Sequence, residues 1–201
     1  MSAGAVARGH SVLVVPVTPL EDWVRARHAH YDRAYVSADP TFAHAHVTLL
    51  APFVAPEEIA AVRPRIAKIV AATPTFEFAL EQVDTFPNGI VHLVPEPEEI
   101  FRELTAALWR AFPAYPPYAG RFPDVRPHVT LDALGPGVTT AAVAAWVAPL
   151  LPARGYADRV HLSWYEPWGC RTLETWRLGE AERGSAGPRG MGDPPIRLSP
   201  G

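Results

Sequence analysis

The 201-residue sequence has one cysteine, Cys170, and its 18 basic residues include a single lysine, Lys68. One thiol cannot form an internal disulfide, and a lone thiol is no zinc framework, so Cys170 is expected to be a packed or idle side chain. The chain also lacks any apolar run near the roughly 18 residues of a membrane span. Its N-terminus shows no basic region followed by an apolar stretch and a cleavage site. These absences predict a cytoplasmic protein that has no contact with the membrane.

Positive charge does not predominate either. The formal net charge is −3 at pH 7, which argues against a large basic surface for duplex DNA. Local contact with one or two phosphates is compatible with this balance. The hydrophobic fraction of 48% is ordinary for a globular protein, and the length suits one compact domain or two small lobes. Neither charge nor length indicates an oligomeric state.

A short repeat dominates the sequence. Residues 46–49 read His-Val-Thr-Leu, and the same four residues recur at 128–131, 82 positions later. The β-branched and apolar surroundings of both copies favour strands over helices. Side chains alternate faces along a strand, so each His shares a face with the Thr two residues on. The other face carries Val and Leu and is expected to pack.

Two such motifs can support acid–base chemistry. Near neutrality, two imidazoles can act as one neutral base and one charged acid, as phosphodiester transfer requires. Each Thr hydroxyl can donate a hydrogen bond to a non-bridging phosphate oxygen and stabilise the charge of the transition state. We therefore predict His46 and His128 as the acid/base pair, with Thr48 and Thr130 as phosphate ligands. The sequence leaves open which His is the base, and the chemistry needs no cofactor.

Residue patterns outline the remaining elements. Apolar spacing predicts helices over residues 20–35, 56–72, 96–112 and 139–151, with Pro64 expected to kink the second or delay its start. Strands are predicted over 11–17, 76–83, 90–94, 158–165 and 172–178 in addition to the second motif, and residues 41–53 contain the strand of the first motif. Residues 1–10 are expected to be a loose leader and 180–201 a Gly/Pro-rich tail. The order of elements predicts an α+β fold with two similar halves.

Together these features resemble a known family. The two His-x-Thr motifs, and the run Phe-Pro-Asn-Gly-Ile-Val-His-Leu-Val-Pro at 86–95, are similar to the 2H phosphoesterase superfamily in its 2′-5′ RNA ligase-like and cyclic phosphodiesterase branch. The resemblance covers roughly residues 10–179. It implies two lobes, each an antiparallel sheet flanked by helices, which face each other across a cleft with one motif on each side. It also implies hydrolysis or transesterification at RNA ends or nucleotide 2′,3′-cyclic phosphates.

Other residues near the motifs are candidates for substrate contact. Arg121 and Arg126 precede the second motif and could bind phosphate. Several aromatic side chains could stack on a base at the mouth of the cleft, namely Tyr118, Phe122, Trp164, Tyr165 and Trp168. A third pattern of the same kind, His161-Leu162-Ser163, falls in the closing strands and is discounted.

Two other function classes compete with this interpretation. His44 precedes His46 by two residues, so a shared strand face would allow a zinc hydrolase with His44, His46 and His128 as ligands. No Asp or Glu in either motif could then serve as base. The second alternative is a non-catalytic module that binds a nucleotide or an RNA end.

The expected partner is a nucleotide or the end of a single-stranded RNA. A 2′,3′-cyclic or 2′-5′ RNA end, an ADP-ribose cyclic phosphate and a cyclic dinucleotide would each suit two His and two Thr. The weakly negative charge favours a small nucleotide or a short single-stranded end over a long duplex.

Overall fold

The computed structural model describes residues 9–122 and 124–180. Its helices of eight or more residues are α1 (Glu21–Tyr31), α2 (Ile59–Ala72), α3 (Glu99–Ala111) and α4 (Thr140–Val147). Its strands are β1 (His10–Pro16), β2 (His46–Leu50), β3 (Phe76–Thr85), β4 (Ile90–Glu96), β5 (Val129–Ala133), β6 (Ala153–Ala157), β7 (Arg159–Tyr165) and β8 (Arg171–Arg177). No helix among the described residues is long and apolar enough to cross a membrane.

The eight strands form one antiparallel sheet in the order β6-β3-β4-β5-β2-β1-β7-β8. We call β1, β2, β7 and β8 the first half and β3 to β6 the second half. The two motif strands, β2 and β5, meet in the middle of the sheet. They are joined through the pairing of Val47 with Val129. The predicted α+β fold with two similar halves is confirmed, with the halves joined by this narrow seam.

The two halves repeat one another in register. Val14 lies opposite Thr48 in the first half, and His92 lies opposite Thr130 in the second. In each half the register shifts at the next pair along, because the leucine of the motif is an extra residue on the motif strand. A bulge of this kind re-aims side chains and ends regular pairing. The repeat seen in four letters of sequence thus extends to the backbone geometry of both motif strands.

The helices cover the sheet and link its halves. Buried Phe101, Leu104 and Leu108 recur at helical spacing on α3, which packs on β2. The Phe101 ring also contacts the rings of Phe76 and Phe78 on β3, at centroid distances of 5.0 and 5.3 Å. α2 packs on α3 and β8, and α4 packs on β3. These contacts form one continuous hydrophobic core beneath both halves.

Some element boundaries differ from the predictions. α2 begins at Ile59, because Pro56 to Glu58 form a separate short 3-10 turn, and it continues through Pro64. Within residues 41–53, the strand of the first motif spans His46–Leu50. Strand β1 starts at His10, which the sequence placed in the leader. The rest of that leader except Gly9, and the tail except Glu180, lie outside the described residues.

Strand β6 was not predicted at all. Its sequence, Ala-Arg-Gly-Tyr-Ala, is short and has a glycine at its centre, which weakens a strand pattern. Gly155 pairs with Phe78 of β3, and a Cβ atom at residue 155 would lie 2.2 Å from the Phe78 ring. Glycine is therefore needed there because the aromatic ring occupies the space of a side chain.

Candidate active site

The seam of the sheet brings the two motifs together. Extending the antiparallel pairing of Val47 with Val129 by one residue on each side sets His46 across from Thr130 and Thr48 across from His128. Each histidine therefore faces the threonine of the other motif as well as sharing a face with its own. The arrangement is reciprocal and surrounds a single point on the surface of the sheet.

Both imidazoles are held through the same ring nitrogen. The Nδ1 atom of His46 lies 3.1 Å from the carbonyl oxygen of Ala43, and Nδ1 of His128 lies 2.8 Å from that of Arg126. A carbonyl oxygen only accepts hydrogen bonds, so Nδ1 carries the proton in each neutral ring. The Nε2 atoms are thus the ring nitrogens that could take up a proton. As bases, both rings would take up a proton at Nε2.

Burial makes both imidazoles poor proton carriers in the free protein. Desolvation lowers the pKa of His46 to about 4, despite an opposing contribution from the Ala43 carbonyl. Desolvation also lowers the pKa of His128, and the neighbouring His92 acts in the same direction. Both rings are consequently neutral at pH 7. A bound phosphate anion favours the charged form, so it would help one of them to regain a proton.

A cavity of about 690 Å³ opens beside the motifs. Four predicted substrate-contact residues line it: Tyr118, Arg121, Phe122 and Tyr165. The Tyr165 hydroxyl is 3.5 Å from Nδ1 of His46, and the Tyr118 ring lies nearly parallel to that of His128 at a centroid distance of 6.2 Å. The two tyrosines therefore connect the cavity wall to both histidines.

The backbone that presents Tyr118 is unusual. Tyr118, Ala119 and Gly120 have φ angles of 51°, 55° and 71°, in the left-handed region that side chains other than glycine rarely adopt. Such conformations cost free energy and persist where the surroundings hold them. Burial raises the pKa of Tyr118, and its contact with the Thr48 hydroxyl acts in the opposite direction. Tyr118 thus reaches from the loop before β5 across to the motif of β2.

The two candidate arginines differ in their surroundings. Arg121 is exposed and lines the cavity, and within the described residues its guanidinium has no carboxylate partner. Arg126 donates a hydrogen bond from Nε to Glu98 at 3.1 Å, so its charge is already paired. Its carbonyl is the one that holds His128. Arg121 is therefore the better placed of the two to meet a phosphate.

The two tryptophan candidates lie outside the cavity lining. Trp164 donates a hydrogen bond from Nε1 to Glu166 at 3.1 Å. Trp168 sits in the turn between β7 and β8 with 81% of its surface exposed, at a φ of 62°. The discounted His161 is buried on β7, opposite Val14 of β1. These three side chains therefore stand apart from the cavity that the other candidates share.

Three residues near the site were missed by the sequence analysis. His92 is fully buried and stacks on Phe86 at 3.6 Å, and its ring centroid is 5.6 Å from that of His128. Among the described residues, its Nε2 atom finds no hydrogen-bond partner. His10 and Tyr35 line the cavity, and His10 stacks on Tyr165 at 5.6 Å. For His92, only the alternation of faces along residues 90–94 could have indicated on which side of β4 its ring lies.

The zinc alternative fails on the geometry of His44. This residue lies before β2 rather than on it, and its ring is buried. Its Nδ1 atom bonds to Glu21 at 2.6 Å, while its Nε2 atom accepts the backbone N–H of Ser37 at 3.1 Å. Both ring nitrogens are therefore occupied. Within the described part of the chain, no cluster of three His, Cys, Asp or Glu side chains is arranged to hold a metal ion.

Solved structures share this fold. TT0787 of Thermus thermophilus has 20% sequence identity and a TM-score of 0.53, with 86% of this chain and 99% of that chain covered. LigT of E. coli in its apo form has 18% identity and a TM-score of 0.53, again with 86% of this chain and 99% of that chain covered. LigT in complex with NADP⁺ has 17% identity and a TM-score of 0.51, over 85% and 98%. A search of curated proteins gives no match.

A family model matches most of the chain. The model of the 2′-5′ RNA ligase superfamily covers residues 15–167, which includes both motif strands and the loop that carries Tyr118. The match agrees with the resemblance noted in the sequence and with the shared fold. The protein therefore belongs to the 2′-5′ RNA ligase superfamily, a group of 2H phosphoesterases.

Proposed function

We propose that this protein is a metal-independent phosphodiesterase that acts on 2′,3′-cyclic phosphates of nucleotides or of single-stranded RNA ends. One observation carries the proposal: two imidazoles, each fixed through Nδ1 by a backbone carbonyl, stand across from each other's threonines beside a cavity of about 690 Å³. This is the arrangement that general acid–base catalysis at a phosphorus atom requires.

Hydrolysis would proceed by in-line displacement. His46 takes a proton from water at Nε2 as the water oxygen bonds to phosphorus, a role that suits the ring with a pKa of about 4 and no proton to give at neutrality. The bond from phosphorus to one ribose oxygen breaks, and His128, protonated in the complex, donates its Nε2 proton to that oxygen. The product is a ribose phosphate monoester. If the hydroxyl of another ribose replaces water as the nucleophile, the same bond from phosphorus to the departing ribose oxygen breaks, and the product is a phosphodiester, as in transesterification or 2′-5′ joining.

The two threonines and Arg121 would stabilise the negative charge on the phosphate. Thr48 and Thr130 lie across the seam from His128 and His46, where their hydroxyls can donate to the two non-bridging oxygens. Donors placed where charge develops in the transition state can each contribute up to about 10³-fold in rate. Arg121 at the cavity wall would attract the phosphate.

Nucleotides are the ligand class that the relatives support. Structures of E. coli LigT hold 3′-AMP, NADP⁺ and ATP, so the fold accommodates phosphorylated adenosines in that protein. The aromatic wall of the cavity here, with Tyr118, Phe122 and Tyr165, suits a nucleoside base.

The test is hydrolysis of the four nucleoside 2′,3′-cyclic monophosphates by the purified protein in EDTA. We expect turnover with a bell-shaped pH profile, and none with the double variant His46→Ala/His128→Ala. Turnover that survives in the double variant would remove the mechanism. If the wild type binds these nucleotides but does not hydrolyse them, the result would instead support a non-catalytic binding module.

A further inference from the structure

A second pocket adjoins the catalytic cavity. It measures about 280 Å³ and lies between α3 and the segment that leads to the second motif. Arg102, Thr105, Ala106 and Trp109 form one wall, because residues three, four and seven apart share a face of a helix. Pro116, Pro117 and Gly120 form the facing wall. This pocket has no role in the chemistry proposed above.

Phe122 is the boundary between the two cavities. Its ring lines both of them and is 45% exposed. Aromatic contacts lead to it from the catalytic histidine: Tyr118 lies 6.2 Å from His128 and 5.8 Å from Phe122, centroid to centroid. Trp109, 46% exposed, lines the second cavity together with Phe122. A ligand that fills the first cavity therefore meets this phenyl ring where it continues into the second.

The charge of the second pocket suits a base rather than a phosphate. The guanidinium of Arg102 is already paired with Asp124 at 2.8 Å and with Glu98 at 3.5 Å. Its positive charge is therefore neutralised, which leaves little attraction for a phosphate anion. The indole of Trp109 offers a π face, on which any base can stack. The Asp124 side chain is 75% exposed, and its carboxylate can accept a hydrogen bond from the amino group of adenine, cytosine or guanine.

We propose that this pocket binds the base of the nucleotide that precedes the reacting one, with Trp109 as its stacking platform and Phe122 as the divider between the two bases. The proposal rests on the function proposed above. It makes single-stranded RNA ends, rather than mononucleotides, the preferred substrates. It also predicts that a base with an amino group is favoured over uracil in the second pocket.

The experiment compares binding of three 3′-phosphorylated ligands that need no turnover: uridine 3′-phosphate and the dinucleotides ApUp and UpUp. We expect ApUp to bind about tenfold more tightly than uridine 3′-phosphate, the order of effect of one stacked base, with UpUp in between. Trp109→Ala should bring the three affinities together, and Trp109→Leu, which keeps an apolar side chain at this helix position, should do the same. Trp146→Ala is the matched control, because Trp146 is another helical tryptophan, 44% exposed, and outside both cavities.

The outcomes separate this proposal from the proposed function. Equal affinities of the three ligands for the wild type would overturn it, as would an ApUp preference that Trp109→Ala leaves unchanged. Hydrolysis of the cyclic mononucleotides, measured on the same proteins, reports on the catalytic proposal alone. A Trp109-dependent preference for ApUp without any turnover would support the second pocket while the phosphodiesterase assignment fails.

Discussion

The two halves of the sheet share one backbone plan, but their motifs have different neighbours. Where the second half has His92 beside Thr130, the first half has Val14 beside Thr48. Where the second half continues from its motif to Asp132, the first continues to Leu50. The repeated geometry supplies two equivalent imidazoles, and the unequal neighbours make them chemically distinct. An acid/base pair needs such a distinction.

The difference is visible around each histidine. His46 contacts Tyr165, and burial lowers its pKa to about 4. His128 lies next to the rings of Tyr118, Phe86 and His92. In the second half, the His92 imidazole lies edge-on to the motif histidine and lowers its pKa; in the first half, His28 lowers the pKa of His46 in the same direction, so the halves differ in their ring contacts. The predictions below test whether the halves also differ in function.

The largest expected effect is the loss of either histidine. His46→Ala and His128→Ala should each lower kcat about 10²–10⁴-fold on a cyclic mononucleotide. With bis(p-nitrophenyl) phosphate, whose leaving group needs no proton, His128→Ala should lose far less than His46→Ala. Steady-state kinetics on both substrates check this. Equal losses on the activated substrate would contradict the assignment of His46 as base.

The threonines come next. Thr48→Ala and Thr130→Ala should each lower kcat about tenfold to a thousandfold, because each removes one donor to the developing charge. Thr48 is partly buried and in contact with Tyr118, whereas Thr130 is exposed, so Thr48→Ala should have the larger effect on substrate binding. Thr→Ser variants, which keep the hydroxyl, serve as controls. Wild-type kinetics in Thr130→Ala would restrict phosphate binding to the first half.

His92→Val gives the second half the residue that the first half has. The proximity of His92 lowers the pKa of His128, so the removal of His92 should raise that pKa. Because His128 is the proposed acid, the high-pH limb of the kcat/KM profile should then move to higher pH. We expect a rate loss of about tenfold at most. Val14→Ala, which loosens packing at the matching position without removing a titratable group, should leave the limb in place. A pH profile unchanged in His92→Val would reduce His92 to a packing residue.

The last expected effect concerns stability rather than rate. The buried carboxylate of Asp132 accepts from Nε of Arg27 on α1 at 2.9 Å and from the Tyr31 hydroxyl at 2.5 Å, which ties α1 to the second half. Asp132→Leu, which copies Leu50, should lower the free energy of unfolding by about 2 kcal/mol, because Arg27 loses its partner. Arg27→Met/Asp132→Leu should recover part of the loss. Urea denaturation measures both, and an unaltered midpoint in the single variant would contradict the expectation.

The sequence predicted the fold class and most elements because both follow from local pattern. The apolar spacing in α3 and the β-branched character of the motifs are each visible within a dozen residues. Strand β6 was not predicted because its central glycine is explained only by the ring of Phe78, which is distant in sequence. The same holds for His44, whose pairing with Glu21 depends on where α1 packs.

Beyond the repeat, the candidate site could be predicted only in part. One cavity lies beside both motifs and is lined by four of the predicted substrate contacts, Tyr118, Arg121, Phe122 and Tyr165. The roles of these four residues stay predictions. Nothing in the sequence separates Arg121 from Arg126, since only the position of Glu98 at the N-cap of α3 decides which charge is paired. His92 was missed because a lone histidine in a strand has the same appearance whether it packs or acts.

The order of strands in the sheet also has a consequence for folding. The second half is built from one continuous stretch, residues 76–157, which lies between the strands of the first half. The first half pairs Leu13 with Leu162, so its closure must bring together positions about 150 residues apart, at a large entropic cost. During synthesis the second half can form while β7 is still unmade. His128 should therefore reach its final surroundings before His46, and the proposed acid/base pair is completed only when the last two strands dock.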